Sequence, residues 1–478
     1  MKQISGIAVL PLIFGLGWIS AFGYLNESWA LPLLFLSGAT GFWFIFRSQR
    51  IALAGFVFGM GYFLNLIDWL DVIGNDAWIA LSILSASWWG IGFWIGQKFQ
   101  KLTFASVWIS AWFVSFELLR DRFPWGGFGW GQFAISTVNN SFLDDLIPLL
   151  GQVLLTFLIV FSWVWIARNG IKPKRLLIAL AGLFIVGATT PSFSITEIST
   201  DYVVGVQGGV VYYPLGEYGP AGEVLAKHVE ISLANQEVLK SAELIVWPES
   251  AVDIDVTRYP QADEQLQQLA AEFGQPLLVN SVTRLEDERV QNTSYLYSVQ
   301  GREFVYAKQR LVPFGEFLPL RALIERFTER AAFMPRDFAA GTSSQPIGID
   351  GNALVICFEI ADEQIAAVQS DAKILLVQTN NATYQNGDQS DQQLLITRFR
   401  AAELAKPTLT IATSGISATI DASGQVMERI EKGDRGILKL MIPSESSSTP
   451  ASKLAGFAPW AIWGLALCSI LYRIKVRA

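Results

Sequence analysis

"LVICFEIADE", residues 354–363, passes from three apolar residues into a cysteine and then three acids. Leu354, Val355 and Ile356 show no alternation of apolar with polar, the pattern of a strand buried on both faces. Cys357 stands where that strand runs out, and it is one of only two cysteines in 478 residues. Two other apolar runs end in a chemically capable residue. "LIVWPES" (244–250) places Glu249 just past a strand stopped by proline, and "FVYAKQRLVPFGEFLP" (304–319) places Lys308 at a strand end with Glu316 eight residues on. Side chains emerge at the ends of buried strands, so these three ends are candidates for one site.

Around them, residues 192–455 alternate short β-rich runs with amphipathic helical stretches, the signature of a layered α/β domain. Strands are expected at 202–207, 243–248, 276–282, 293–299, 303–308, 353–358, 373–379 and 408–414, and helices at 221–240, 260–273, 361–370 and 389–405. "SESSST" (444–449) reads as a flexible tether.

The rest of the chain is of a different kind. The whole sequence is 51% hydrophobic, has 17 tryptophans, and only 16% of its residues are charged, against roughly a quarter in ordinary domains. Apolar helices are expected at 4–24, 29–46, 51–70, 78–97, 103–119, 147–167, 175–190 and 456–472. Each approaches the roughly 20 apolar residues that cross a bilayer core. The first is read as a span rather than a cleaved signal, since no small-residue cleavage site follows it. Asp68 and Glu117 are the main charges within the spans, both near span ends. "FPWGGFGWGQ" (123–132) reads as an interfacial aromatic belt.

Lysine and arginine fall at alternate ends of successive spans: Lys2, then Arg47 and Arg50, Lys98 and Lys101, Arg168 to Arg175, and Arg473 to Arg477. By the positive-inside rule both termini are cytoplasmic. The expected organisation is a seven-helix transmembrane domain (1–191), an extracytoplasmic catalytic domain (192–455), and a last transmembrane helix with a cytoplasmic tail (456–478), in a bacterial inner membrane. A net charge of −7 argues against a nucleic-acid partner.

Absences narrow the chemistry. The single histidine, His228, lies in "GEVLAKHVEISLANQEVL" and is expected on the solvent side of a helix. A His-rich zinc site and a Cys-His catalytic pair are thereby disfavoured, and no phosphate-binding glycine loop is present. No metal or cofactor is expected. What remains is a cysteine nucleophile served by another base. A carboxylate within reach can take the thiol proton, and a lysine favours the thiolate and steadies an oxyanion. Glu249, Lys308 and Cys357 supply these roles in that order, with the backbone N–H of Phe358 as a second oxyanion donor. The ordinary fate of a lone cysteine at a strand end is burial as a small hydrophobe. Cys468, within the last span, is expected to pack against lipid or helix.

At these segments the sequence resembles the nitrilase superfamily, which uses a Glu-Lys-Cys triad in an αββα sandwich. With its surrounding spans it is similar to the membrane-embedded apolipoprotein N-acyltransferase family. The resemblance rests on "WPES" (247–250), "KQRLVPFGEFLP" (308–319), "ICFE" (356–359) and the position of the domain between spans seven and eight. It implies Glu249 as base, Lys308 as oxyanion-stabilising lysine and Cys357 as nucleophile, with Glu316 and Glu359 in support. It further implies a phospholipid acyl donor, a diacylglyceryl apolipoprotein acceptor and a monomer. Phe358 stands where well-studied members have tyrosine, "NNAT" (380–383) replaces "NDAW", and "GGVVYYPLGEYG" (208–219) lacks their tryptophan. These segments, with "MPRDFAAG" (334–341), look closer to the actinobacterial branch. "PFGEFLPLRALIERF" (313–327) and "FMPRDF" (333–338) are expected to form lids. The rival readings are a membrane-anchored amidase for a small substrate, a lipid or lipoprotein carrier, and a transporter.

Overall fold

A computed structural model describes residues 7–139, 143–170, 198–210, 219–326, 336–342, 351–364, 371–384 and 386–477. The chain divides into two compact units, Met1–Ser192 with Thr449–Ala478, and Phe193–Ser448.

The first unit is helical: α1 (Leu10–Ala21), α2 (Ala30–Ile45), α3 (Ile51–Leu66), α4 (Asn75–Gly96), α5 (Ala105–Arg120) and α6 (Ile147–Asn169), joined by a C-terminal helix, Ala458–Arg477. The expected span 175–190 lies outside the described residues. Small residues set the closest crossing. A Cβ on Gly17 would lie 2.0 Å from the carbonyl oxygen of Phe58, and one on Gly61 would lie 2.1 Å from that of Phe14. Only glycine lets α1 and α3 touch backbone to backbone at both points. The C-terminal helix is held to α5 by Trp112 Nε1, which donates to Ser469 Oγ at 3.0 Å, and Cys468 is exposed beside it.

Among the described residues, the stretches Asn75–Phe99 and Asp144–Asn169 are long and apolar enough to cross a membrane. Leu10–Tyr24, Ala30–Ile45 and Ile51–Leu66 are apolar but shorter. A helix of 16 residues rises about 24 Å, short of a bilayer core of about 30 Å.

The end of α5 ties down the Trp-rich loop. Glu117 is buried and pairs with buried Arg120 at 3.1 Å, while Trp89 Nε1 donates to the same carboxylate. Arg120, the last residue of α5, also donates to the carbonyl oxygens of Phe128 and Trp130. The Trp-rich loop is therefore pulled inward. Trp130 is buried, and only Phe123 and Trp125 remain exposed as a belt would require.

The second unit is built from two sheets. One has the order β11 (Gly436–Pro443), β1 (Ile198–Gln207), β2 (Leu244–Val246), β3 (Leu277–Arg284), β4 (Val290–Ser298), β5 (Gly301–Ala307). The other has the order β10 (Val426–Ile430), β9 (Ser417–Ile420), β8 (Thr408–Ala412), β7 (Leu375–Thr379), β6 (Ala353–Ile356). Strands β1, β2 and β3 are parallel neighbours, as are β6, β7 and β8.

Alternate residues assign the faces. Val203, Val246, Leu278, Leu354, Ile356, Leu376 and Leu409 meet between the sheets. Val204, Ile245 and Leu277 point the other way, against α7 (Glu223–Ala234) and α8 (Pro260–Phe273) through Leu225, Leu266 and Phe273. On the far side α9 (Gln389–Leu404) packs Leu394 and Ala401 against Ile416, Ala418 and Ile420. The layers run helix, sheet, sheet, helix.

The eight expected strands are present, and β9, β10 and β11 are additional. A 3₁₀ turn, Cys357–Ala361, precedes the expected helix 361–370; Gln364 is helical, and residues 365–370 lie outside the described residues. The "SESSST" stretch is no free tether. Lys406 Nζ donates to the Ser447 carbonyl at 2.8 Å, Ser447 Oγ donates to Ala405 O, and Thr449 caps Pro450–Leu454. His228 is wholly buried rather than solvent-facing, against the Trp247 ring with centroids 5.4 Å apart.

Candidate active site

Glu249 and Cys357 follow the C-terminal ends of β2 and β6, each paired with parallel neighbours, and Lys308 follows the end of β5, whose neighbour β4 runs antiparallel. Glu249 comes three residues after β2, where Trp247 is anchored by its Nε1 donating to Ser232 Oγ at 3.1 Å. Ser250, immediately after, has a φ of 56°, and Cys357, immediately after β6, has a φ of 52°. Left-handed backbone at a residue with a side chain costs about 1–3 kcal/mol and concentrates at functional sites. Here it turns the chain sharply out of each strand, so the side chain at the bend is presented rather than packed within the sheet.

The three side chains gather around one cation. Lys308 Nζ donates to Glu249 Oε1 at 3.3 Å and to Glu316 Oε1 at 2.7 Å. Lys308 is 2% exposed and Glu249 5%. Burial alone would lower the lysine pKa, but Glu249 and Glu316 hold it well above the usual value. The Cys357 thiol is half-buried and interacts electrostatically with both Glu249 and Lys308. Burial and the Glu249 charge push it up to about 12, against the opposing pull of Lys308 and of the Thr379 hydroxyl. At neutral pH the sulfur is therefore a thiol and needs a base before it can attack.

Glu249 is aimed by a buried amide chain. Asn292 Nδ2 donates to Glu249 Oε1 at 2.7 Å, Asn280 Nδ2 donates to Asn292 Oδ1 at 2.8 Å, and the Ser250 N–H donates to Asn280 Oδ1 at 2.8 Å. Thr413 Oγ1 donates to the Glu249 carbonyl at 2.7 Å. With Oε1 committed to Asn292 and Lys308, the second carboxylate oxygen is the one left to take a proton.

Glu359 does a different job. Its Oε1 accepts from the Gln309 N–H at 2.7 Å, the Arg310 N–H at 3.0 Å and the Tyr306 hydroxyl at 2.8 Å, while Oε2 accepts from the Ile356 N–H at 2.8 Å. This one carboxylate ties the chain after Lys308 to the strand before Cys357. Glu316 is fixed by the Val312 N–H at 2.8 Å, and its loop is held by Phe338 N–H donating to Glu316 O at 2.7 Å and by the Arg321–Asp337 pair at 2.5 Å. Phe314 and Leu320 on that loop are exposed, whereas residues 327–335 lie outside the described residues. Phe358 is half-buried in the turn that Cys357 opens.

All five acidic, basic and thiol residues singled out in the sequence thus meet. Asn280, Asn292, Tyr306, Thr379, Thr413 and Tyr384 were not anticipated. The signal for the asparagines was available: Asn280 interrupts the apolar run "PLLVNSV", and an amide there needs a buried partner. Tyr384, in "NNATY", feels the charges of Cys357, Glu316 and Lys308, and burial raises its hydroxyl pKa. Among the described residues, no group of three His, Cys, Asp or Glu could hold a metal ion.

A model of the apolipoprotein N-acyltransferase N-terminal domain matches residues 14–165, and a carbon-nitrogen hydrolase model matches residues 220–449. The chain belongs to the apolipoprotein N-acyltransferase family. The apolipoprotein N-acyltransferase of Agrobacterium fabrum is 28% identical, over 92% of this chain and 81% of its own. That of Mycolicibacterium smegmatis is also 28% identical, over 91% and 78%. That of Haemophilus ducreyi is 23% identical, over 98% and 96%. Among solved structures, an amidase of the nitrilase superfamily from Nesterenkonia aligns with 55% of this chain and 95% of its own, at a TM-score of 0.38 and 15% identity. A carbon-nitrogen hydrolase from Helicobacter pylori aligns at 0.39 and 14%, over 55% and 93%.

Proposed function

We propose that this chain is an apolipoprotein N-acyltransferase that moves an acyl group from a phospholipid, through a thioester on Cys357, to the α-amino group of a lipoprotein's diacylglyceryl-cysteine. The observation that carries this reading is a thiol beside a buried lysine and a fixed carboxylate, in a chain whose other unit is an apolar helical bundle. In the first step Glu249 takes the thiol proton as sulfur attacks the ester carbonyl. The C–O bond then breaks, and the proton passes from Glu249 to the departing glycerol oxygen. Lys308 and the Phe358 N–H steady the oxyanion. In the second step the acceptor amine attacks the thioester carbonyl, Glu249 takes its proton, the C–S bond breaks, and Glu249 returns the proton to the sulfur so that Cys357 leaves as a thiol.

Water has to be kept from the thioester, or hydrolysis would replace transfer. Exposed Phe314 and Leu320, on the loop that carries Glu316, suit a surface that meets acyl chains. The spans, the cytoplasmic termini and the placement of the catalytic domain outside the cell belong to the same proposal, because an exported lipoprotein presents its lipidated cysteine there. A phospholipid donor and a monomeric enzyme complete it.

Mass spectrometry of the purified protein after exposure to phospholipid vesicles tests the central step. An acyl-sized mass increase is expected on Cys357, removed by lipoprotein-type amine and absent from Cys357→Ala. Lipoprotein N-acylation by Cys357→Ala at the parent rate would overturn the reading.

A further inference from the structure

Leu354, Ile356, Leu376 and Leu409 fill the layer between the sheets from the side that carries Cys357. Gln378, two residues after Leu376 on β7 and opposite Ile356, is wholly buried there. Ser294 on β4 meets it from the other sheet, and Asn280 on β3 stands beside Ser294 in register. Both are wholly buried as well. A leucine at 378 would suit this apolar layer, and an amide is costly to bury unless its hydrogen bonds are made. Its bonds lead to the base.

Gln378 Nε2 donates to the Trp247 carbonyl at 2.6 Å, and Gln378 Oε1 accepts from Ser294 Oγ at 2.6 Å. Ser294 Oγ accepts in turn from Asn280 Nδ2 at 3.2 Å. The same Nδ2 also donates to Asn292 Oδ1, and Asn280 Oδ1 accepts from the Ser250 N–H. The circuit therefore leaves the chain at Trp247 and returns to it at Ser250, with Glu249 between. Both anchors are backbone groups of fixed polarity, since a carbonyl only accepts and an N–H only donates. They set the direction of every bond and the orientation of each amide. Asn292 is left with its NH₂ toward Glu249 Oε1, at 2.7 Å. Of the side chains in this circuit, Gln378 alone comes from the nucleophile's sheet, and its partner in register is the residue before Cys357.

We infer that Gln378 is a positioning residue for the base. Through the Trp247 carbonyl and the Ser294–Asn280–Asn292 chain, it holds the Glu249 carboxylate in register with the strand that ends at Cys357. Oε1 is kept as an acceptor, so the thiol proton goes to the second oxygen. This rests on Glu249 and Cys357 acting as the base and nucleophile proposed above. Gln378 itself exchanges no proton and touches no reacting atom. Without it the Trp247 carbonyl and the Ser294 hydroxyl each lose a partner inside an apolar layer, and the turn that bears Glu249 is released from the opposite sheet. A misplacement of about 1 Å at a reacting group costs about 100-fold in rate.

Two readouts test this in the full-length protein carrying Cys468→Ala: acyl adduct formation on Cys357 from phosphatidylethanolamine vesicles, and alkylation of Cys357 by iodoacetamide. Gln378→Leu is expected to slow acylation by ~10- to 100-fold. Its alkylation should stay within ~3-fold of the parent, because Glu249 keeps its charge and iodoacetamide draws on thiolate already present. A merely structural loss would move both rates together. Gln378→Glu gives a second test. Protonated, the new carboxyl donates to the Trp247 carbonyl and accepts from Ser294 as the amide does; ionised, it can only accept. Burial brings such a carboxyl to titrate at neutral pH or above, so acylation relative to the parent should fall ~10-fold or more between about pH 6 and 9. Equal acylation by the parent and Gln378→Leu, or a parallel fall in acylation and alkylation, overturns the proposal. Should the leucine variant misfold, a ratio of Gln378→Glu to parent that does not change with pH overturns it by itself. A parent protein that alkylates normally but never forms an acyl adduct would defeat the nucleophile reading instead.

Discussion

Glu249→Gln separates the two effects that the carboxylate has on Cys357. The amide keeps the shape, and its oxygen can accept from Asn292 Nδ2 and Lys308 Nζ as Glu249 Oε1 does at 2.7 and 3.3 Å. The opposite rotamer would set an NH₂ against two donors, so the NH₂ takes the position of the second carboxylate oxygen. A base becomes a donor there. Loss of general-base help costs about 10²- to 10⁴-fold in acyl-enzyme formation. The same change removes a negative charge that raises the thiol pKa, while Lys308, which lowers it, stays. Nearby charges of this kind move a pKa by about 1–3 units, so the thiolate fraction at pH 8 rises about tenfold or more. Acylation by phospholipid should therefore fall while alkylation by iodoacetamide rises. Rates are read by mass spectrometry of the Cys357 adducts in parallel samples. Acylation and alkylation falling together would refute the electrostatic account, and undiminished acylation would remove Glu249 as the base.

Glu359→Gln should cost about 2–4 kcal/mol of domain stability in urea unfolding, because an NH₂ in place of Oε2 faces the buried Ile356 N–H and leaves two donors unsatisfied. Equal stability would show that the carboxylate is not the tie between the two strand ends. His228 bonds Val224 O through Nδ1 at 2.8 Å, and burial lowers its pKa from 6.5 to about 4. The unfolded chain then binds the extra proton between about pH 6.5 and 4, so stability falls with acid across that window. At about 1.4 kcal/mol per unit, the loss is about 3 kcal/mol. His228→Met should flatten thermal stability between those pH values, and an unchanged slope would contradict it. A reporter fused within 192–455 should read as extracytoplasmic, and fusions at Gln49, Gln100 or Ala478 as cytoplasmic. A cytoplasmic catalytic domain would favour a tethered amidase instead.

Local sequence determined most of the elements, because burial on both faces leaves an uninterrupted apolar run. β2 and β6 were legible for that reason, and α8 at Pro260–Phe273 by a single buried face of Ala262, Leu266, Leu269, Ala270 and Phe273. β10 and β11 carry mixed patterns with exposed Met427 and Met441, and β9 is four residues of "SATI". β9 is held by β8, β10 by β9 and β11 by β1, and no local pattern announces that pairing. Sequence also singled out Glu249, Lys308, Glu316, Cys357 and Glu359, since a reactive group at the end of an apolar strand is conspicuous where thiols and histidine are scarce. Tertiary structure alone decided which oxygen of Glu249 is free and that Glu359 joins two strand ends. Those facts depend on register between strands distant in sequence, as between Ile356 and Gln378. His228 shows the same limit from the other side. Its helix reads as polar, yet the close approach of Gly208, where a Cβ would lie 2.6 Å from the ring, and of Trp247 buries it completely. Periodicity fixes which residues share a face of an element. Only the packing of that face against its neighbours fixes whether it sees water.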